Sequence, residues 1–238
     1  MRSVMAVVLG LVAGVAAAQA APQTGPVQAL KDVHGWEYGA IFQGGKGVTD
    51  NRDDFTFYMA GVHVGKVLTT EIGKGLLRGN FEYAVEAFPY WQSNTPTFQR
   101  YNCLATPNPL VLSCAGPYTT GGTYRGASVT PIILRWNFTR GGKLMPWAQA
   151  AGGLLYTTHK YPAYGQGPLN LTNDGPGSGA SVFNFTPQGG IGLHYFVKPR
   201  QSFDLSANGV HISSASLGDR NPGVNASVQF SVGYSWWK

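Results

Sequence analysis

Apolar and polar residues alternate along this chain with a period of two, and the alternation recurs in eight stretches. In Trp36–Gln43 the even positions are apolar or aromatic, and the odd ones are mostly polar or small. Phe55–Thr69 is apolar with small residues mixed in. Phe81, Tyr83, Val85 and Ala87 then alternate with Glu82, Ala84 and Glu86. Ile132, Leu134, Trp136 and Phe138 alternate with Ile133, Arg135 and Asn137. Leu144–Thr158 carries a weaker version, and Phe183–Tyr195, Phe203–Asn208 and Ser227–Trp236 complete the set. Successive side chains of a strand point to opposite faces, so each run predicts a strand with one apolar face.

A soluble sandwich alternates too, so the lengths and the faces decide the solvent. The aromatic and aliphatic face is continuous through every strong strand, while the other face carries Glu82, Glu86, Arg135, Asp204 and Gln229. A small membrane barrel has this arrangement, with its polar network inside and its apolar face on lipid. Charges of both signs inside can pair with one another, as a dry interior requires. Connections alternate in length. Those near 70–78, 139–143 and 197–200 are short, whereas 92–122 and 159–180 are long. Short periplasmic turns and long outer loops follow that pattern. The expected fold is therefore all-β, an eight-stranded antiparallel transmembrane β-barrel over 35–238, ending in the aromatic stretch Tyr234–Lys238.

The N-terminus agrees with export. Arg2, the uncharged apolar run Val4–Ala18 and the small-x-small site Ala18-Gln19-Ala20 read as a signal peptide over 1–20, with the mature chain starting at Ala21. No Cys follows that site, which argues against a lipid-anchored lipoprotein. Residues 21–34 read as a flexible lead-in. The net charge of +6 is spread out, with no Lys/Arg cluster of the kind that binds nucleic acid. Cys103 and Cys114 fall in the long second outer loop, where an oxidising compartment favours a disulfide. Neither has the His or acidic neighbours of a metal site, and nothing calls for a metal or another cofactor.

Candidate chemistry gathers in the last hairpin, Asn208–Asn225. Phe203, Leu205 and Ala207 have the lipid-facing parity, and counting on by twos gives Gly209, His211 and Ser213. His211 and Ser213 should thus share the outer face with Cα atoms about 7 Å apart, close enough for imidazole and hydroxyl to meet. A Ser hydroxyl becomes a nucleophile when a neighbouring imidazole accepts its proton, and donors must await the oxyanion. The Gly/Asn-rich turn 214–223, Asn221 and Ser214 in particular, can supply such donors. His-x-Ser at a strand end also occurs as a plain interfacial pair before a turn. His63 reads as a strand residue, His159 as a loop residue and His194 as a lumen residue, none with a comparable partner.

His211-Ile212-Ser213-Ser214-Ala215 followed by Asn221-Pro222-Gly223 resembles the signature of the lipid A 3-O-deacylase (PagL-type) family, with looser echoes at 79–83 and 185–190. The resemblance implies an eight-stranded outer-membrane barrel with a Ser–His–Glu esterase site on its lipid-facing wall. It implies Ser213 as nucleophile and His211 as general base, with Asn221 as the oxyanion-stabilising Asn. It also implies lipid A of lipopolysaccharide, among outer-membrane lipids, as the partner; a homodimer is compatible with it. Two positions depart from the family pattern. Ser214 stands where the family has Asn, and Asn225 stands where it has the Glu that orients the His. Asn225 has the lumen parity of Ser227, and the nearest carboxylate is Asp219. Three readings follow: a weaker esterase using Asn225, a triad completed by Asp219, or a barrel that has lost activity. The alternative to an esterase is a non-catalytic structural or interaction barrel presenting its long loops. A pore fits less well, because eight strands leave an interior filled by side chains.

Overall fold

Eight strands pair in chain order and close on themselves in a computed structural model of the chain. They are β1 (Trp36–Gly47), β2 (Thr56–Val67), β3 (Gly79–Ala105), β4 (Leu112–Phe138), β5 (Leu144–Tyr161), β6 (Ser181–Lys198), β7 (Gln201–His211) and β8 (Ala226–Trp237). Each is antiparallel to the next, and β8 returns to pair with β1 from Glu37↔Trp237 to Gly47↔Ser227. The structure describes residues 25–31, 33–49, 52–106, 111–162, 169–170, 181–215 and 225–238. The export signal, most of the 159–180 loop, Asp219 and Asn221 lie outside the described residues.

The predicted alternation sets the two faces of the wall. Phe42, Ile132, Leu205 and Phe230 point outward and are 53–62% exposed, whereas Glu82, Arg135 and Gln229 point inward and are 0–3% exposed. No helix among the described residues is long and apolar enough to cross a membrane.

The lumen is filled in three layers. At the outer end, Phe57, Trp91, Tyr124, Tyr161, Val210 and Ile212 belong to one apolar cluster. The middle holds an ionic network. Arg135 Nη1 donates to Glu37 Oε2 at 3.2 Å and lies 3.6 Å from Glu82 Oε1, while Nε and Nη2 both donate to Gln149 Oε1 at 3.1 Å. His63 Nδ1 lies 3.2 Å from Glu86 Oε1, and His194 Nδ1 lies 2.6 Å from Asp204 Oδ1. Glu82, Glu86, Arg135 and Asp204 thus pair as two-signed charges in a dry interior must. His63, expected as an ordinary strand residue without a partner, is instead a member of this network.

At the periplasmic end, Val67, Met145, Phe196 and Trp237 close a second apolar cluster. It is completed by a segment expected to be a flexible lead-in. Pro26–Leu30 forms a short helix, α1, whose Val27 and Leu30 are 0% and 7% exposed inside that cluster. Five residues are too few to stand as an isolated helix, so packing holds α1 in place. Gln28 Nε2 also donates to the Thr139 carbonyl oxygen.

One expectation needs correcting. Residues 92–122 are not a free loop, because β3 and β4 continue as a paired ribbon to Ala105↔Leu112. Cys103 faces Cys114 in register near its tip, and a disulfide joins them. A two-residue segment, Leu169–Asn170, runs parallel to Tyr101–Asn102.

Candidate active site on the outer wall

β7 carries His211 to the outer end of the barrel without losing its phase. Toward β6 the pairing is regular from Phe196↔Ser202 to Gln188↔Val210, and a further bridge joins Phe185 to Ser213 in the same register. Toward β8 it runs unbroken to His211↔Ala226, and the Ile212 N–H still donates to the Asn225 carbonyl oxygen at 2.9 Å. With no bulge near the site, parity holds. Val210, Ile212 and Ser214 are buried inward, while Gly209, His211 and Ser213 lie on the outward side.

Ser213 is held from both directions. Its backbone exchanges two hydrogen bonds with Phe185, at 2.7 and 3.0 Å. Its hydroxyl oxygen accepts the Ala215 N–H at 3.2 Å, in a turn where Ala215 has φ of 47°. An oxygen that accepts from Ala215 keeps its own proton available for a base. Sequence reasoning missed this donor because it is a backbone group set by the turn. Among the described residues no hydrogen bond joins His211 to Ser213, although the two share one face two residues apart.

The other nominated residues divide. Ser214, nominated for the oxyanion, is fully buried on the lumen side, so its side chain does not face the outward pair. Asn225, nominated to orient His211, is 2% exposed inside the lumen. Its amide lies beside the Tyr161 hydroxyl but closes no hydrogen bond with good geometry. The unbroken β7–β8 register is the physical reason, since turning Asn225 outward would take a bulge that the pairing lacks.

The wall below the pair is low. Gly209 pairs with Gly189 and Gly189 with Ala150, while Pro187 pairs with Gly152. A Cβ on Gly189 or Gly209 would meet nothing nearer than 3.7 Å, and one on Gly152 would meet nothing within 4 Å. Taller side chains flank this floor, Ile132 and Leu134 on β4 and Val228 and Phe230 on β8. Above it stand Leu154, Tyr156, Phe183 and Phe185, with the Tyr156 and Phe183 rings 5.1 Å apart. The result is an apolar trough that descends from His211 into the lipid-facing band.

Two clusters in the lumen have the donor types of a metal site, Glu37–His63–Glu82 and Glu37–His194–Asp204. In both, the donor atoms are already engaged by protein groups. Arg135 Nη1 sits 3.2, 3.4 and 3.6 Å from the three donor atoms of the first, filling its centre. In the second, the 2.6 Å contact of His194 with Asp204 is a hydrogen bond, and Ser235 Oγ lies within hydrogen-bond distance of both carboxylates with its one proton to donate.

A closed eight-stranded barrel with an apolar outer wall, an ionic lumen and short turns at one end is a bacterial outer-membrane protein. A family model for lipid A 3-O-deacylase (PagL) matches residues 78–235. The chain belongs to that family. Among solved structures it resembles the outer-membrane enzyme PagL, at 14% identity over 84% of this chain and 98% of that one, with a TM-score of 0.45. It also resembles Neisserial surface protein A, at 11% identity over 84% and 96% with a TM-score of 0.47. The N-terminal barrel domain of Pseudomonas aeruginosa OprF gives 14% identity over 85% and 98%, with a TM-score of 0.40. No curated protein sequence matches the chain.

Proposed function

We propose that the protein is an outer-membrane esterase that removes an ester-linked 3-hydroxyacyl chain from lipid A, with Ser213 as nucleophile and His211 as general base. The observation that carries this reading is the position of the pair, on the lipid-facing wall at the head of an apolar trough. An acyl chain lying in the trough brings its ester to Ser213 from within the leaflet. His211 takes the hydroxyl proton as Ser213 Oγ attacks the ester carbonyl carbon. The C–O bond to the sugar breaks, and the sugar oxygen leaves with the proton from His211. Water, deprotonated by His211, then releases the fatty acid from acyl-Ser213. The Ala215 N–H holds Ser213 Oγ in place for attack, and Asn221 is our assignment for the donor to the tetrahedral oxyanions. Asp219 is our assignment for the group that orients His211, because Asn225 faces the lumen. Export is by a signal peptide cleaved after Ala20.

The test is expression in a lipopolysaccharide-bearing host, followed by mass spectrometry of lipid A. The expected result is loss of one 3-hydroxyacyl group, abolished by Ser213→Ala or His211→Ala with the barrel still folded. Unchanged lipid A from a folded, surface-exposed barrel would sink the esterase. It would favour the non-catalytic barrel, for which the inward-facing Asn225 is the supporting observation.

A further inference from the structure

Cations gather on two neighbouring turns at the periplasmic end. The turn between β4 and β5 carries Arg140 and Lys143, and the turn between β6 and β7 carries Lys198 and Arg200. Neither turn contains an acidic residue. Lys143, Lys198 and Arg200 are exposed, and Arg140 is half-buried. None of the four is in an ion pair among the described residues. Glu71, the one acid of the turn between β2 and β3, is engaged elsewhere: Arg78 Nε lies 3.2 Å from it, and the Thr139 hydroxyl donates to it.

The sheet brings these turns together because β5 and β6 are paired neighbours. Leu144 pairs with Tyr195, and the Phe196 N–H donates to the Lys143 carbonyl oxygen at 2.8 Å. Lys198 follows two residues later, which puts the Lys143 and Lys198 Cα atoms roughly 8 Å apart. Lys198 pairs with Gln201 across Pro199–Arg200, so Arg200 stands beside it. The backbone under these cations is held. Val27 N–H of α1 donates to the Gly142 carbonyl oxygen, and the Trp237 N–H donates to that of Arg200.

The level of the cluster is marked by a row of outward residues, Leu144, Tyr195, Phe203 and Tyr234, paired side by side. Tyr195 and Phe203 are exposed, and the Phe203 and Tyr234 rings meet edge to face at 5.1 Å. Aromatic girdles of this kind lie at the edge of the hydrocarbon layer. Lys143, Lys198 and Arg200 lie one to three residues beyond the row, roughly 3–10 Å further toward the periplasm, where lipid headgroups are. Above Lys143, the outward positions of β5 are Pro146, Ala148 and Ala150, short beside Trp136 on β4 and Tyr195 on β6. They leave a shallow groove for an acyl chain that leads down to the cations.

We propose that Lys143, Lys198 and Arg200, with Arg140 at their flank, form a headgroup site for an anionic phospholipid of the inner leaflet, whose acyl chain lies along β5. Charge complementarity and continuity with the lipid-facing wall select this occupant. A zwitterionic headgroup brings its own ammonium and needs no such cluster, whereas an uncompensated phosphodiester does. The site is at the opposite end of the barrel from His211 and Ser213 and is independent of any reaction there. It fixes the depth and rotation of the barrel from the inner leaflet.

The experiment uses the folded full barrel in detergent, with native mass spectrometry reading retention of phosphatidylglycerol against phosphatidylethanolamine of the same acyl chains. The expected result is a preference for phosphatidylglycerol. Lys143→Gln with Lys198→Gln and Arg200→Gln lowers its retention roughly tenfold and leaves phosphatidylethanolamine unchanged. Lys143→Arg with Lys198→Arg keeps the preference, as does Lys46→Gln with Arg125→Gln at the outer end. A heat-modified gel shift confirms that each variant is folded. Equal retention of the two lipids, an equal loss of both in the Gln variant, or loss of the preference in the outer-end variant would overturn the proposal. Displacement of phosphatidylglycerol by equimolar inorganic phosphate would overturn the lipid assignment. Cosedimentation with peptidoglycan that the Gln variant loses, without a phosphatidylglycerol preference, would give the cluster to the cell-wall polymer instead.

Discussion

Asn225 and His211 stand on opposite sides of the same barrel wall. Ile212 links them in sequence and register, donating its backbone N–H to the Asn225 carbonyl oxygen while His211, one residue earlier, points the other way. Asn225→Glu therefore does not rebuild a catalytic triad. It places a carboxylate beside Tyr161 and Ile212 in the outer apolar cluster. The variant is expected to show no gain in esterase rate and to lose up to about 2–4 kcal/mol of stability from a carboxylate buried in an apolar cluster. Lipid A mass spectra together with urea unfolding in detergent check both parts. A rise in rate would show that the last hairpin is built differently.

How much of this was legible in the sequence depended on whether both faces of a strand meet different solvents. Glu82 and Arg135 stand out as inward residues because Phe81, Tyr83, Leu134 and Trp136 beside them meet lipid. Glu37 could have been found by the same parity, between Trp36 and Tyr38. Beyond residue 92 the contrast disappears. Gln92, Asn94, Thr119 and Thr123 lie in a ribbon clear of the lipid band, so polar residues suit both faces and no period of two survives. Register shifts at Thr95/Phe98 and Arg100/Asn102 break the phase further. The helix α1 left only the three-residue spacing of Val27 and Leu30 as a signal. At the site, His211 and Ser213 were legible because β7 keeps phase. The Ala215 donor was not, because it depends on one turn conformation.

The trough gives a prediction in which substrate length matters. Gly189→Leu or Gly209→Leu fills its floor, and the open space at both positions allows the side chain without crowding the backbone. The expected effect is a roughly tenfold rise in KM for a long-chain ester with little change for an acetyl ester. Equal effects on the two substrates would mean that the chain does not lie in the trough.

Arg135 is the cation at the centre of the lumen network. Arg135→Met keeps much of the side-chain volume but leaves Glu37, Glu82 and Glu86 facing one another without it. Removing one partner of a buried ion network typically costs about 3–5 kcal/mol. The heat-modified shift of the barrel on gels should come at a markedly lower temperature. Adding Glu82→Gln to Arg135→Met should recover part of the loss. Failure of that rescue would indicate that packing over Trp147, which the Arg135 guanidinium covers at 4.3 Å, matters more than charge.

The disulfide acts on the ribbon rather than on the barrel. Cys103→Ser with Cys114→Ser reopens a short hairpin whose closure contributes about 3 kcal/mol at most, felt locally. Limited trypsin digestion should then cut at Arg100 while the strands below residue 92 stay protected. Loss of the folded barrel itself would contradict this division.

The two apolar layers that close the lumen decide how this protein meets a ligand. With α1 and the Trp237 cluster at one end, and Tyr161 and Trp91 at the other, the barrel offers no axial passage among its described residues. A lipid comes to His211 sideways, by diffusing in the plane of the leaflet, and both products part into that same plane. The concentration that governs such an encounter is a surface density. The rate should follow the mole fraction of substrate in the membrane and stay constant when the same membrane is diluted in more buffer.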